Sequence, residues 1–240
     1  MKNLIISGAL ATGLVAGAAH AVEVTGGYVE LGYSTFTDTD IGSRYNLNGA
    51  GELAFSRSFS LQLDAGTYRF NEIDESGTNL TLHGNFHASD NLSLGAFYGR
   101  DSIDGDDLDF YGVEAGFDAG QVDIEGYLGR HEVDGVSGLD GNIFGLAMKS
   151  YATDQLELTA NYDLVDNFGG LVDANVYSVG ANYALSDNAE VFGTLGAARL
   201  DAFGFSNTEA FVSFGVRMNL GNARGTTFDR RGVLDKLPGL

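Results

Sequence analysis

The sequence predicts an all-β fold, a transmembrane antiparallel up-and-down β-barrel of 12 strands, on three observations. Apolar and polar residues alternate with period two along most of the chain, as strands with successive side chains on opposite faces require. The connections alternate between short turns and longer loops, the asymmetry that outer-membrane barrels show between their two ends. One face carries no charge in its central band on any strand, as contact with hydrocarbon demands.

The chain opens with Met1-Lys2-Asn3 and an apolar stretch from Leu4 to Ala18, ending in Ala19-His20-Ala21. A positive start, a short Gly/Ala-rich apolar region and an A-x-A site read as a signal peptide over 1–21, with cleavage expected before Val22. The stretch is shorter than the roughly 20 apolar residues of a membrane helix. Strands are expected near 24–36, 45–55, 59–69, 78–88, 92–100, 109–117, 122–130, 142–150, 156–164, 175–183, 189–199 and 208–220. Ser56-Arg57-Ser58 and Ser89-Asp90-Asn91 mark short turns, as do 118–121, 151–155 and 184–188. Loops of roughly seven to eleven residues are expected at the opposite ends of the strands. The barrel domain is thus 22–220, followed by a basic tail, 221–240.

Composition narrows the function. The chain has no cysteine, which removes lipoprotein anchors, disulfide scaffolds and thiolate metal sites. A formal net charge of −20 argues against nucleic acid or any other polyanion as partner.

The apolar face includes Leu31, Leu63, Leu82, Val113, Leu146, Val179, Leu195 and Phe214. The other face is rich in Gly, Ser, Thr and Asn. It also carries Glu30, Glu52, Asp64, Glu114, Asp123, Glu125, Glu157, Asp163, Glu190 and Glu209 against Lys149 and Arg217. A water-filled pore lined this way concentrates cations and repels anions. Glu30, Asp64, Glu114 and Glu125 are expected near mid-barrel as the acids that set this preference, with His83 and His87 as polar lining. Tyr28, Tyr68, Phe97, Tyr127, Phe192 and Phe211 could partly fill the same lumen.

Catalytic residues, metal and cofactor are not expected. His83 and His87 lie four residues apart on one strand, about 13 Å, too far to share one ion. No nucleophile-elbow or metalloprotease motif occurs. A histidine–serine pairing across strands is open, since Ser60 and Ser93 neighbour that strand. The acidic loop 101–107 lacks the spacing of a calcium loop and reads as solvated.

Arg69, Arg100, Arg130 and Arg199 each end a strand at the long-loop end, on the lipid-facing parity. Guanidinium groups there suit lipopolysaccharide phosphates. The tail holds Arg224, Arg230, Arg231 and Lys236 against Asp229 and Asp235, and reads first as a disordered periplasmic extension. Entry into the lumen as a partial plug and contact with peptidoglycan are its alternatives.

The last strand, Ser213-Phe214-Gly215-Val216-Arg217-Met218-Asn219-Leu220, resembles the insertion signal of outer-membrane proteins. With the overall layout, the chain resembles a short member of the Gram-negative porin group. That resemblance implies an outer-membrane channel for passive diffusion of ions and small hydrophilic solutes, with outer-membrane lipid and lipopolysaccharide as surroundings and a homo-oligomer allowed. Two departures stand out: no loop is long enough to fold inward as a constriction, and the chain continues beyond Leu220. A structural barrel with a filled lumen and interacting loops is the alternative, followed by a lipid-modifying enzyme.

Overall fold

The computed structural model describes residues 22–37, 42–71, 75–133, 138–168, 172–202, 205–221 and 225–237; the expected signal peptide lies outside them. Twelve strands run in chain order as β1 (Glu23–Phe36), β2 (Ser43–Ala54), β3 (Phe59–Phe70), β4 (Ser76–His87), β5 (Leu92–Ile103) and β6 (Asp106–Asp118). The rest are β7 (Val122–Val133), β8 (Gly141–Thr153), β9 (Leu156–Phe168), β10 (Val172–Ser186), β11 (Ala189–Ala202) and β12 (Phe205–Leu220). Each pairs antiparallel with the next, and β1 closes the barrel on β12 with Glu30 opposite Arg217. Closure leaves no open edge, which lipid would penalise through unpaired backbone groups. A short helix, α1 (Val233–Lys236), follows β12.

The outward residues are those the alternation assigns to lipid. Leu63, Leu80, Val113, Leu128, Val179, Leu195 and Phe214 are all half or more exposed on the isolated chain. Aromatic side chains gather near both ends of this apolar band. Tyr33 and Tyr45 meet at 4.9 Å, as do Tyr162 and Tyr177, at the end holding the expected long loops; Phe59 and Phe86 meet at 5.1 Å at the other. Two such girdles mark the interfacial zones of membrane barrels.

The expected long loops are largely corrected. Several strands run on beyond the expected ends, and β5 joins β6 through Asp104 and Gly105 alone, both at positive φ. That is the tight hairpin turn whose twist matches paired strands. The acidic stretch 101–107, read as a solvated loop, is mostly strand, because Arg100 and Ser102 pair their side chains with Asp107 across the hairpin.

The two faces should respond differently to one charge. Leu195→Arg, on the lipid face of β11, should cost about 2–4 kcal/mol if it lies at the membrane midplane. Thr194→Arg, its inward neighbour, should cost far less, because its charge stays in the polar lumen. Equilibrium unfolding in lipid vesicles measures both, and equal losses would reject the assignment of faces.

Candidate functional site: a lumen that holds its own C-terminal segment

After Leu220 the chain turns back into the barrel at the short-turn end. Gly221 and Gly225 take positive φ, and Gly225 donates its backbone N–H to the Thr25 carbonyl at 3.1 Å. Gly26 lies so close that a Cβ built on it would sit 2.8 Å from the Gly225 Cα. Only glycine at this contact lets the two backbones meet.

From there residues 225–237 climb the lumen along the wall made by β1 to β7. The Thr227 N–H donates to Glu52 at 2.6 Å. Gln62 acts as a strand partner for Phe228, accepting from its N–H at 3.1 Å and donating to its carbonyl at 2.8 Å. The Phe228 ring rests over Gly95, where a Cβ would stand 2.6 Å from the ring. Asp229 accepts from Lys149 at 2.8 Å. Burial alone would raise its carboxyl pKa, but Lys149, with Arg231 and Lys236, holds it well below the usual carboxylate range.

The tail's cations meet the acids of the wall. Arg230 reaches Glu30 at 3.2 Å and Asp235 of α1 at 3.0 Å, and Arg217 reaches the other Glu30 oxygen at 2.6 Å. Arg231 is almost wholly buried, bonding Glu114 at 2.8 Å and Glu125, with its guanidinium 4.6 Å over the Tyr127 ring. Leu234 donates its backbone N–H to Asp101 at 2.9 Å, and Arg44 donates to the Leu234 carbonyl. Tyr68 donates to Asp235 at 2.7 Å. Beyond these contacts Val233 and Leu237 join Phe110, Ile143, Val165, Val176 and Phe211 in an apolar cluster inside the long-loop end.

The structure brings the inward acids assigned from the sequence together, and three of them bond the tail. Glu30, Asp64 and Glu114 are buried, and Glu125 is partly buried. His83 lies fully buried between Asp64 (2.9 Å from Nε2) and Glu114 (2.7 Å from Nδ1). Each ring nitrogen thus faces a carboxyl oxygen within hydrogen-bond distance, and the ring bridges the two acids. A continuous hydrogen-bonded chain thus runs Asp64–His83–Glu114–Arg231–Glu125.

His87 does meet the two serines, Ser60 at 3.2 Å and Ser93 at 2.9 Å. Glu52 stands 4.0 Å from the nitrogen facing Ser60.

The reading of the tail as a disordered periplasmic extension is corrected for the described residues 225–237. Acids crowded on one inner wall repel one another, and three tail cations among them remove that repulsion. Arg44, Asp101 and Gln62 were missed as site residues, although the period-two alternation places Gln62 inward within its expected strand and, carried one residue further, places Arg44 and Asp101 inward too. Nothing in the alternation indicates that the tail enters.

The arginines at the long-loop end lie on the outward parity, and Arg100, Arg130 and Arg199 bond aspartates. Arg100 forks onto Asp109 at 2.6 and 2.8 Å, Arg199 bonds Asp201 at 3.0 Å, and Arg130 bonds Asp140. Lipid phosphates would have to compete with these carboxylates.

Short of its apolar tip, the tail leaves the opposite wall uncovered. A gap of about 260 Å³ is lined there by Thr159, Asn161, Ser178, Asn182, Thr194 and Ser213 of β9 to β12, facing Arg217, Arg230 and Lys236. It adjoins a vestibule of about 1140 Å³ at the short-turn end, the two sharing Glu125, Lys149, Arg217 and Asp229 as lining.

With this geometry in place, comparison with known proteins is informative. A family model described as Gram-negative porin matches residues 11–202. None of the curated proteins matches the sequence. Among solved structures, the fold is similar to the KdgM porin, with a TM-score of 0.61 at 9% identity over 80% of this chain and 98% of that one. It is similar to the NanC porin, with a TM-score of 0.59 at 10% identity over 80% and 98%. The CymD monoaromatic hydrocarbon channel gives 0.54 at 9% identity over 83% and 90%. At such identities the likeness is one of fold.

Proposed function

Because this chain belongs to the Gram-negative porin family and forms a channel in the outer membrane, we propose that it passes ions and small hydrophilic solutes by passive diffusion, preferring cations, through the gap beside its own tail. The observation that carries this reading is the uncovered wall of β9 to β12. Its hydroxyl and amide side chains, Thr159, Asn161, Ser178, Asn182, Thr194 and Ser213, can replace a solute's hydration without binding it tightly.

The cation preference is assigned to the vestibule rather than to mid-barrel. Asp90, Asp118, Asp123, Glu157, Asp187 and Glu190 line it against Arg57, Lys149 and Arg217. Carboxylates around a low-dielectric mouth raise the local cation concentration. Glu30, Glu114 and Glu125, expected near mid-barrel as the acids that set this preference, bond the tail's arginines, and Asp64 bonds Gln62 and His83. One KdgM structure contains oligogalacturonate; the acidic vestibule here disfavours a polyanion of that kind.

A salt gradient across a planar bilayer should give a reversal potential favouring cations. The preference should shrink as the Debye length falls from about 30 Å at 0.01 M to about 3 Å at 1 M salt. Replacing Asp118, Asp123, Glu157 and Glu190 together by Asn or Gln should move the reversal potential toward zero. Anion preference in the unmodified barrel would overturn the proposal. The second reading, a structural barrel, is favoured by the filling of the β1 to β7 side and the apolar cluster at the long-loop end. It requires that the same bilayer show no current.

A further inference from the structure

We propose that residues 225–237 form a displaceable plug, seated on one wall of the lumen and withdrawing through the short-turn vestibule, so that the pore alternates between a narrow and a wide state. The inference extends the channel reading above and rests on it for its functional meaning.

Short of its apolar tip, the seat is one-sided in its polar contacts. The plug's hydrogen bonds and ion pairs run chiefly to β1 to β8, while among the described residues β9 to β12 contribute the longer ion pair of Lys236 to Asp163 at 3.5 Å. Most of the hold is polar: charged pairs and backbone N–H groups on carboxylates, each exchangeable for water that enters the gap beside it. Aliphatic packing is confined to the tip, where Val233, Leu234 and Leu237 are buried.

The seam is also incompletely matched within the protein. Thr227 Oγ1 and Asp235 Oδ2 on the plug, and Arg44 Nε and Asn85 Oδ1 on the wall, are buried without a protein hydrogen-bond partner. Buried polar atoms of this kind weigh against the seated state and are relieved when solvent reaches them.

The connection and the available space set the direction of withdrawal. The plug is joined to β12 at the short-turn end, where Gly221 and Gly225 both take positive φ. The vestibule of about 1140 Å³ lies at that end and touches the plug from Thr226 to Asp229. The other end of the plug meets packed apolar side chains. Withdrawal toward the vestibule therefore breaks the aliphatic tip contacts and has room to proceed.

The chain contains no cysteine, so a single reporter thiol tests the motion. Leu234→Cys, and separately Val233→Cys, would be exposed to a water-soluble maleimide in the folded full-length barrel. The unfolding rate of the same sample is followed by loss of its folded gel mobility. Labelling at least ten-fold faster than unfolding is expected at both positions, rising with salt. In a Glu114→Gln/Glu125→Gln background, which loosens Arg231, it should rise a further ten-fold or more. Labelling at both positions only as fast as the barrel unfolds would overturn the plug as a moving part. This measurement needs no ionic current, so the two readings fail separately: labelling without conductance rejects the channel, and conductance without labelling rejects the plug.

Discussion

Deleting residues 225–240 is expected to raise single-channel conductance several-fold and to sharpen cation preference. The segment covers the wall from β1 to β7, and its tip supplies Val233 and Leu237 to the apolar cluster at the long-loop end. Its removal widens the gap along its whole length and loosens that cluster. It also strips Arg230, Arg231 and Lys236 from the lumen while leaving Glu30, Asp64, Glu114 and Glu125 in place. The truncated lumen then has the open acidic lining that the alternation alone suggests. The gain should be largest at low salt, where unscreened carboxylates concentrate cations most strongly. Bilayer recordings of both chains over a range of salt measure it. Equal conductance throughout would show that the tail does not constrict the path.

Arg231→Ala is expected to be the most damaging single change in the tail. Arg231 is 2% exposed and bonds two carboxylates, so its loss leaves Glu114 and Glu125 without their shared cation. Breaking a buried ion pair from one side costs about 3–5 kcal/mol, because the remaining charge stays buried and unpaired. Here the loss is bounded by the cost of the tail leaving its seat, since water can then reach the acids. The expected result is rapid cleavage of the tail by added protease while the barrel remains folded. Arg231→Lys should recover only part of the protection, since an ammonium lacks the planar fork that spans both acids. Combining Arg231→Ala with Glu114→Gln and Glu125→Gln should recover more, because the uncompensated charges are then gone. Unchanged protection of the tail in Arg231→Ala would mean that the pairs at Glu114 and Glu125 contribute little to its seat.

Both predictions concern a segment that the strand pattern does not explain, and the contrast has a physical basis. Barrel strands carry their information locally. A residue such as Leu195 or Thr194 faces lipid or lumen according to a parity that its immediate neighbours reveal. Lipid enforces that parity without exception in the central band, so the strands and the membership of Glu30, Asp64, His83 and Glu114 in one inner face are legible from the chain alone. The turn at Asp104-Gly105 was less legible, since an acidic, glycine-spaced stretch suits a solvated loop as well as a hairpin extended by the Arg100–Asp109 pair.

The tail lies at the other extreme. Its Arg230 and Arg231 meet Glu30 and Glu114, residues some two hundred and more than one hundred positions away in the chain. No periodicity links such partners, and charge balance alone is equally consistent with a tail left in solution. Only closure of β1 on β12 gathers those acids around one space narrow enough for a short basic segment to reach several at once. The sequence by itself therefore determined the barrel, its two faces and the acidity of the inner one. The tertiary structure alone decided that this acidity is largely met from within, because ion pairing across a lumen depends on distances that exist only after the sheet has closed.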